Sequence, residues 1–177
     1  RGLGDVYKRQ GLEAQKNQKL LIDAFELIAS DFTEYQLTIY GEGSLRKELE
    51  DYVKAKGLQE RVFLPGNQNN IQEHIKDASL FVLSSDYEGI PNALIEAMAI
   101  GLPCVSTDCS PGGARELIEE GISGLITPCS DVRKLSDAMR MMLSNKTYAK
   151  ACGIEALRIR EKTDVKKISE DWLRYIS

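Results

Sequence analysis

Short apolar runs alternate with amphipathic helical patterns along most of the chain, and this alternation constrains the fold more than any other feature. The strand-type runs lie at residues 36–40, 61–64, 79–83, 102–106 and 124–126, and helical patterns lie at 17–30, 45–56, 71–78, 92–100 and 114–121. Three more helical patterns follow at 132–143, 146–160 and 165–176. Because strands that alternate with crossover helices form parallel sheets, the sequence predicts an α/β domain with helices on both faces and a helical C-terminus.

The first ten residues, RGLGDVYKRQ, do not fit this pattern. They lack the apolar run that should open an α/β domain, so we expect residues 1–10 to be a non-native segment. The junction would lie near Gln10 and Gly11, with the natural chain continuing upstream. On this interpretation residues 11–177 are the domain, and its first strand is lost or poorly replaced.

Composition narrows the function. The chain has 177 residues, of which 42% are hydrophobic and 28% charged, with a net charge of −4. This balance is ordinary for a soluble domain and disfavours nucleic acid as a partner. The four cysteines have no C-x-x-C spacing, which favours reduced thiols in a cytoplasmic protein. His74 has the pattern of a surface histidine, and we expect no metal site because carboxylate clusters are missing.

The segment from Glu88 to Glu96, EGIPNALIE, carries the strongest functional signal. Two carboxylates flank a Gly-x-Pro turn that opens a helix, and a helix N-terminus favours phosphate. A nucleotide-diphosphate sugar, with a diphosphate between two hydroxyl-rich groups, suits this layout. Two alternatives are a glycosidase carboxylate pair, which fits a phosphate-binding turn poorly, and plain solvated carboxylates at a helix start.

Several motifs in fixed order resemble family 4 glycosyltransferases. They are Gln15-Lys16-Asn17, Gly41-Glu42-Gly43, Pro65-Gly66, Glu88 to Glu96, Gly101-Leu102-Pro103, the run SPGGARE at 110–116 and the run GISGLITP at 121–128. The resemblance covers the chain from about Gly11 onward. It implies the donor-binding, Rossmann-like half of a GT-B enzyme, and no part of the chain resembles the N-terminal acceptor domain.

The resemblance also assigns roles to residues. Glu88 and Lys16 would be catalytic: Glu88 would contact hydroxyls of the donor sugar, and Lys16 would neutralise charge on the leaving diphosphate. Glu96 would accept hydrogen bonds from the ribose hydroxyls. Residues whose backbone would lie against the donor are Gly41, Gly43, Gly89, Asn92, Ala93 and Leu94. No cofactor or metal is implied.

Two glycine-rich segments have alternative interpretations. The run from Gly41 to Arg46 resembles a dinucleotide fingerprint, but Arg46 replaces the third glycine, so a tight turn beside the donor is favoured. For Gly112 and Gly113 we favour a structural role at a helix start over a donor contact. The polar loop at 66–70 lies near the nucleotide base in the family, although a plain turn fits equally well.

One departure from the family pattern affects the function. The family has Gly-Arg-Leu before the Gln-Lys-Asn motif, and its arginine also contacts the phosphates; here the sequence reads Gln10-Gly11-Leu12. The resemblance implies that the parent enzyme is a retaining glycosyltransferase that moves a sugar to a glycan or lipid-linked acceptor, with a UDP-sugar favoured as donor because UDP is common in the family. Bacterial polysaccharide biosynthesis, with peripheral membrane association of the parent, would be its context. The isolated chain would be a donor-binding fragment without activity, and a degenerate domain without a ligand is a third hypothesis.

Overall fold

The computed structural model describes residues 4–9 and 11–163. Six strands lie in that part of the chain: β1 (Gly4–Arg9), β2 (Tyr35–Tyr40), β3 (Val62–Gly66), β4 (Leu80–Leu83), β5 (Cys104–Thr107) and β6 (Leu125–Thr127). Eight helices accompany them: α1 (Gln18–Ala29), α2 (Arg46–Ala55), α3 (Ile71–Ile75), α4 (Asn92–Ala99), α5 (Gly113–Leu117), α6 (Val132–Ser144), α7 (Lys146–Ala156) and α8 (Ile159–Lys162). A short 3-10 turn, Ala14–Lys16, precedes α1.

The strands form one parallel sheet in the order β3-β2-β1-β4-β5-β6. This order confirms the predicted Rossmann-like α/β class. The chain direction across the sheet reverses between β1 and β4, and ligands of such sheets bind beyond the carboxyl ends of the strands at this switch point. The loops that follow β1 and β4 are therefore the place to look for a site.

Of the two expected outcomes, a first strand that is lost or one that is poorly replaced, the loss is wrong. Gly4–Arg9 forms β1 in the middle of the sheet, with Val6 paired to Leu37 of β2 and to Leu80 of β4. Its residues form a strand because they hydrogen-bond to two neighbouring strands, although the sequence has no apolar run there. Whether residues 1–10 are native to the protein stays an expectation.

The core lies on both faces of the sheet. Alternate strand residues pack either against α1, α2 and α6 or against α3, α4, α5 and α8, as the strand period of two requires. Val82 of β4 faces the first layer, whereas its neighbours Phe81 and Leu83 face the second. In the described ranges no helix is both long and apolar enough to cross a bilayer.

Among the other predicted elements, the helix at 17–30 is confirmed as α1. Asn17 is the N-cap of α1, where its side chain accepts a hydrogen bond from the Leu20 N–H. His74 is exposed, and all four cysteines are free. The predicted helix 146–160 is divided, because i→i−3 hydrogen bonds tighten the chain after α7. The predicted helix at 165–176 lies outside the described residues.

Candidate functional site

The loops after β1 and β4 bring Lys16 and Glu88 together at the switch point of the sheet. Lys16 Nζ lies 2.8 Å from Glu88 Oε1, and the two side chains are 15% and 10% exposed. The hydroxyl of Ser85 donates a second hydrogen bond, of 2.9 Å, to the same carboxylate oxygen. A lysine and a carboxylate that lie 72 positions apart in sequence thus form one partly buried pair.

A cavity of about 420 Å³ opens around this pair. Its volume falls in the range of roughly 300–1,000 Å³ that is typical of small-molecule sites. Of the residues predicted to contact the donor, six line the cavity: Lys16, Gly41, Glu88, Asn92, Ala93 and Glu96. Sequence reasoning did not name the other lining residues as site residues; they are Gly11, Asn67 and Ile90. Asn67 belongs to the polar loop expected near a nucleotide base.

The N-terminus of α4 faces the same cavity. Pro91 is its N-cap and offers no side-chain hydrogen bond to the helix. Leu94 N–H donates to Pro91 O at 2.9 Å, and the Leu94 side chain is fully buried in the core. Within the described residues, Asn92 and Ala93 N–H have no hydrogen-bond acceptor, so they are the groups of this helix end that are available to an anion.

Three residues that were predicted to lie against the donor do not line the cavity: Gly43, Gly89 and Leu94. Gly43 is a packing residue, because a Cβ there would lie 2.4 Å from Leu12 O. Its place in the tight Gly41-Glu42-Gly43 turn therefore brings that turn against the chain that follows β1. The favoured interpretation of this motif as a tight turn beside the cavity fits the structure.

The 110–113 segment supports the loop that carries Glu88. Ser110 O accepts a hydrogen bond of 2.9 Å from the Glu88 N–H. A Cβ on Gly113 would lie only 1.7 Å from Gly89 O, so no other residue fits there without moving the loop. Gly112 is the N-cap of α5 with a φ of 108°, a conformation that favours glycine. The structural role expected for this pair of glycines is what the geometry shows.

Lys8 lies beneath the site, and sequence reasoning did not single it out. Its side chain is fully buried, and Nζ donates to Lys16 O and to the Ser84 hydroxyl. Burial lowers the pKa of Lys8 from 10.5 to about 7, although attraction to Glu88 opposes the change. No signal short of the fold itself could have placed this lysine next to Lys16.

A second cavity, of about 460 Å³, lies at the opposite edge of the sheet. It is formed by the segments that precede β4 and β5 together with α7, and Lys76, Lys146 and Lys150 contribute to its wall. None of the predicted site residues lines it. Within the described residues no group of three or more His, Cys, Asp or Glu side chains could hold a metal ion.

Fold and site together define a class: a Rossmann-like domain whose switch point presents a lysine–carboxylate pair and a helix N-terminus to a small-molecule cavity. The model of the family described as "Glycosyl transferases group 1" matches residues 7–158, and the chain belongs to this family. Its six-stranded parallel sheet is Rossmann-like, and its structural neighbours are GT-B glycosyltransferases.

Two relatives illustrate the family. The chain is 33% identical over 165 residues to N-acetylgalactosamine-N,N'-diacetylbacillosaminyl-diphospho-undecaprenol 4-alpha-N-acetylgalactosaminyltransferase of Campylobacter jejuni, which covers 93% of this chain and 44% of that protein. A crystal structure of a Staphylococcus aureus TarM mutant, whose ligands include UDP, has a TM-score of 0.89 and 29% identity over 96% of this chain and 34% of that one. The chain thus spans less than half the length of these relatives.

Proposed function

We propose that this chain is the donor-binding half of a retaining, family 4 glycosyltransferase that takes a sugar from a UDP-sugar to a glycan or lipid-linked acceptor. One observation carries the proposal: Lys16, Glu88, Glu96 and the N-terminus of α4 line a single cavity at the switch point of the sheet. Six predicted donor contacts from four separate loops and helices meet there, which supports the motif-based assignment of roles.

The roles follow from charge and position. The diphosphate would lie at the N-terminus of α4, where the Asn92 and Ala93 N–H groups would donate to it. Lys16 would exchange its ion pair with Glu88 for the phosphate oxygens and would stabilise the charge that grows as the sugar–phosphate bond breaks. Glu88 would then accept hydrogen bonds from the sugar hydroxyls. Glu96, one helical turn further along α4, would hold the ribose.

The relatives support the substrate class. The name of the C. jejuni enzyme states that it acts on a diphospho-undecaprenol-linked acceptor, and the S. aureus structure contains UDP. We therefore infer a UDP-sugar donor for this chain and a glycan or lipid-linked acceptor for the full-length protein. The reaction would run in the cytoplasm, at the inner face of the membrane where the acceptor is lipid-linked. Lys16 would supply the positive charge, so we infer no metal requirement.

Calorimetric titration of UDP into the chain tests the proposal. Charge-assisted hydrogen bonds are worth about 1.5–3 kcal/mol each, so Lys16→Met and Glu96→Ala should each weaken UDP roughly tenfold or more. Glu60→Ala, at an exposed carboxylate remote from the cavity, is the matched control and should not change the affinity. EDTA should also leave it unchanged. If UDP fails to bind, or binds all variants equally, the assigned site is wrong.

A second candidate concerns the isolated chain: it binds the donor but transfers nothing. The observation that favours it is Gly11, which lines the cavity where the family has its arginine. The chain would be incubated with radiolabelled UDP-sugars and with undecaprenyl-diphosphate-linked saccharides as acceptors. Labelled product made by the wild type and lost in Glu88→Gln would overturn the binding-only view.

A further inference from the structure

We infer that Asp86 is a positioning residue that holds Lys16 against Glu88; this inference rests on the proposed function of that pair. Asp86 bonds to the residues on both sides of Lys16. Its N–H donates to Gln15 O at 2.9 Å, and its Oδ2 accepts from Asn17 Nδ2 at 2.9 Å. The loop of β4 therefore holds the lysine-bearing turn at two points.

Asp86 is itself held by two other segments. Its carbonyl accepts a hydrogen bond of 3.2 Å from the Ser110 N–H, and Ser110 O accepts in turn from the Glu88 N–H. Its other carboxylate oxygen accepts from the Ser130 hydroxyl at 3.3 Å. The backbones of Asp86 and Glu88 thus both hydrogen-bond to Ser110. This shared partner fixes the position of the Asp86 carboxylate, which holds the Lys16 turn, relative to the Glu88 carboxylate, which pairs with Lys16.

The side chain of Asp86 matters because of the conformation of Asn17. Asn17 has a φ of 43°, which few non-glycine residues adopt, and its Oδ1 caps α1 by accepting from Leu20 N–H. Its Nδ2 is committed to Asp86. Loss of the Asp86 carboxylate would leave that amide without its acceptor and loosen the turn, so that the Lys16 ammonium would spend less time beside Glu88.

Asp86 does not line the cavity, so it would act on a ligand through Lys16. This separates positioning from simple electrostatics. Removing a negative charge near a diphosphate should tighten UDP if charge alone operates. Removing a residue that positions Lys16 should weaken it. The two effects have opposite signs for the same substitution.

A double-mutant cycle on UDP affinity tests the inference. Asp86→Ala should weaken UDP about tenfold in the wild-type background and less than twofold in the Lys16→Met background. Asp86→Asn keeps an oxygen that can accept from Asn17 Nδ2 and should restore most of the affinity. Tighter binding by Asp86→Ala, or equal weakening in both backgrounds, would overturn the positioning role. Asp77→Ala, at an exposed acid in the turn before β4, is the control.

A second measurement needs no ligand and so separates this inference from the proposed function. In the ligand-free chain, the NMR ¹⁵Nζ signal of Lys16 should shift when Glu88→Gln removes its partner. In the Asp86→Ala background that shift should fall by half or more, whereas Asp77→Ala should preserve it. An undiminished shift would refute the positioning role even in a chain that does not bind UDP. No UDP binding by the wild type, with the shift behaving as expected, would refute only the proposed function.

Discussion

Replacing the buried lysine of β1 by methionine should stabilise the fold. Lys8 is fully buried in the middle of the sheet, and its ammonium donates to Lys16 O and to the Ser84 hydroxyl. Methionine has a similar length and no charge. The Ser84 hydroxyl lies 3.1 Å from Lys16 O and 2.9 Å from Asn17 O, so after Lys8→Met its one hydrogen can be donated to either carbonyl.

The magnitude follows from the pKa of Lys8. Burial lowers this pKa from 10.5 to about 7 in the folded chain. At about 1.36 kcal/mol per pH unit, the charged form costs the folded state about 5 kcal/mol. Below pH 7 both the folded and the unfolded chain carry the proton, so the full cost is present and does not vary with pH. Between pH 7 and 10.5 the unfolded chain binds more protons, so the cost falls and stability rises with pH.

Urea unfolding followed by far-UV circular dichroism, at pH values from 6 to 9.5, measures this cost. Lys8→Met should exceed the wild type in free energy of unfolding by about 5 kcal/mol at pH 6 and by only about 1 kcal/mol at pH 9.5. Lys54→Met, at an exposed lysine of α2, should differ little from the wild type at any pH. A Lys8→Met difference that is absent, or the same at every pH, would show that the buried ammonium is well solvated and would refute the reasoning.

Three further predictions concern the site and the cysteines. Gly11→Arg should tighten UDP binding about tenfold, because one charge-assisted hydrogen bond is worth about 1.5–3 kcal/mol. There is room for the side chain, since the nearest atom to a Cβ at this position lies 3.7 Å away, in the side chain of Glu13. Calorimetry on Gly11→Arg and on Gly11→Met separates the effect of the charge from that of the added side chain. Gly113→Ala should lower the free energy of unfolding, measured in urea, by about 1–3 kcal/mol and should weaken UDP binding, because its methyl group would displace Gly89 O. Gly89→Ala is the control: a Cβ at Gly89 meets open space, so this variant should unfold in urea much like the wild type. Burial raises the pKa of the Cys104 thiol, so mass spectrometry should find it unalkylated by iodoacetamide at pH 8 until urea unfolds the chain.

The α/β class could be predicted because the buried strands of a parallel sheet are written in the sequence as apolar runs. The run LFVL of β4, for example, is apolar throughout and buried at every position. β1 has no such run. Its residues Val6, Tyr7 and Lys8 are only 0%, 2% and 0% exposed, but a lysine in a sequence normally indicates a surface segment. The pairing of β1 depends on β2 and β4, which lie far along the chain, and no local pattern encodes it.

The site shows a similar division. The motifs predicted that Lys16, Glu88 and Glu96 lie together, and all three line one cavity. This was predictable because residues that follow parallel strands lie at the same edge of the sheet. Motifs did not distinguish residues that face the cavity from those that support it. Leu94 N–H, for example, is taken by Pro91 O in the first turn of α4, a matter of register that only the helix start decides. The role inferred for Asp86 depends on contacts with four residues in three separate segments and has no sequence signature at all.

The charge of the cavity explains why a substitution at Gly11 should change the affinity for a diphosphate. Its described lining includes one lysine against two carboxylates, Glu88 and Glu96. A diphosphate entering this environment gains from Lys16 and from the helix N-terminus but is repelled by both carboxylates at cavity distances.

Affinity would then depend on donated hydrogen bonds at both ends of the ligand, and a free diphosphate, which has neither ribose nor sugar, should bind far more weakly than UDP. An arginine at position 11 would reduce this difference, since it would attract the diphosphate itself. Comparing inorganic pyrophosphate with UDP on the wild type and on Gly11→Arg by calorimetry checks the argument, and equal affinity for the two ligands on the wild type would contradict it.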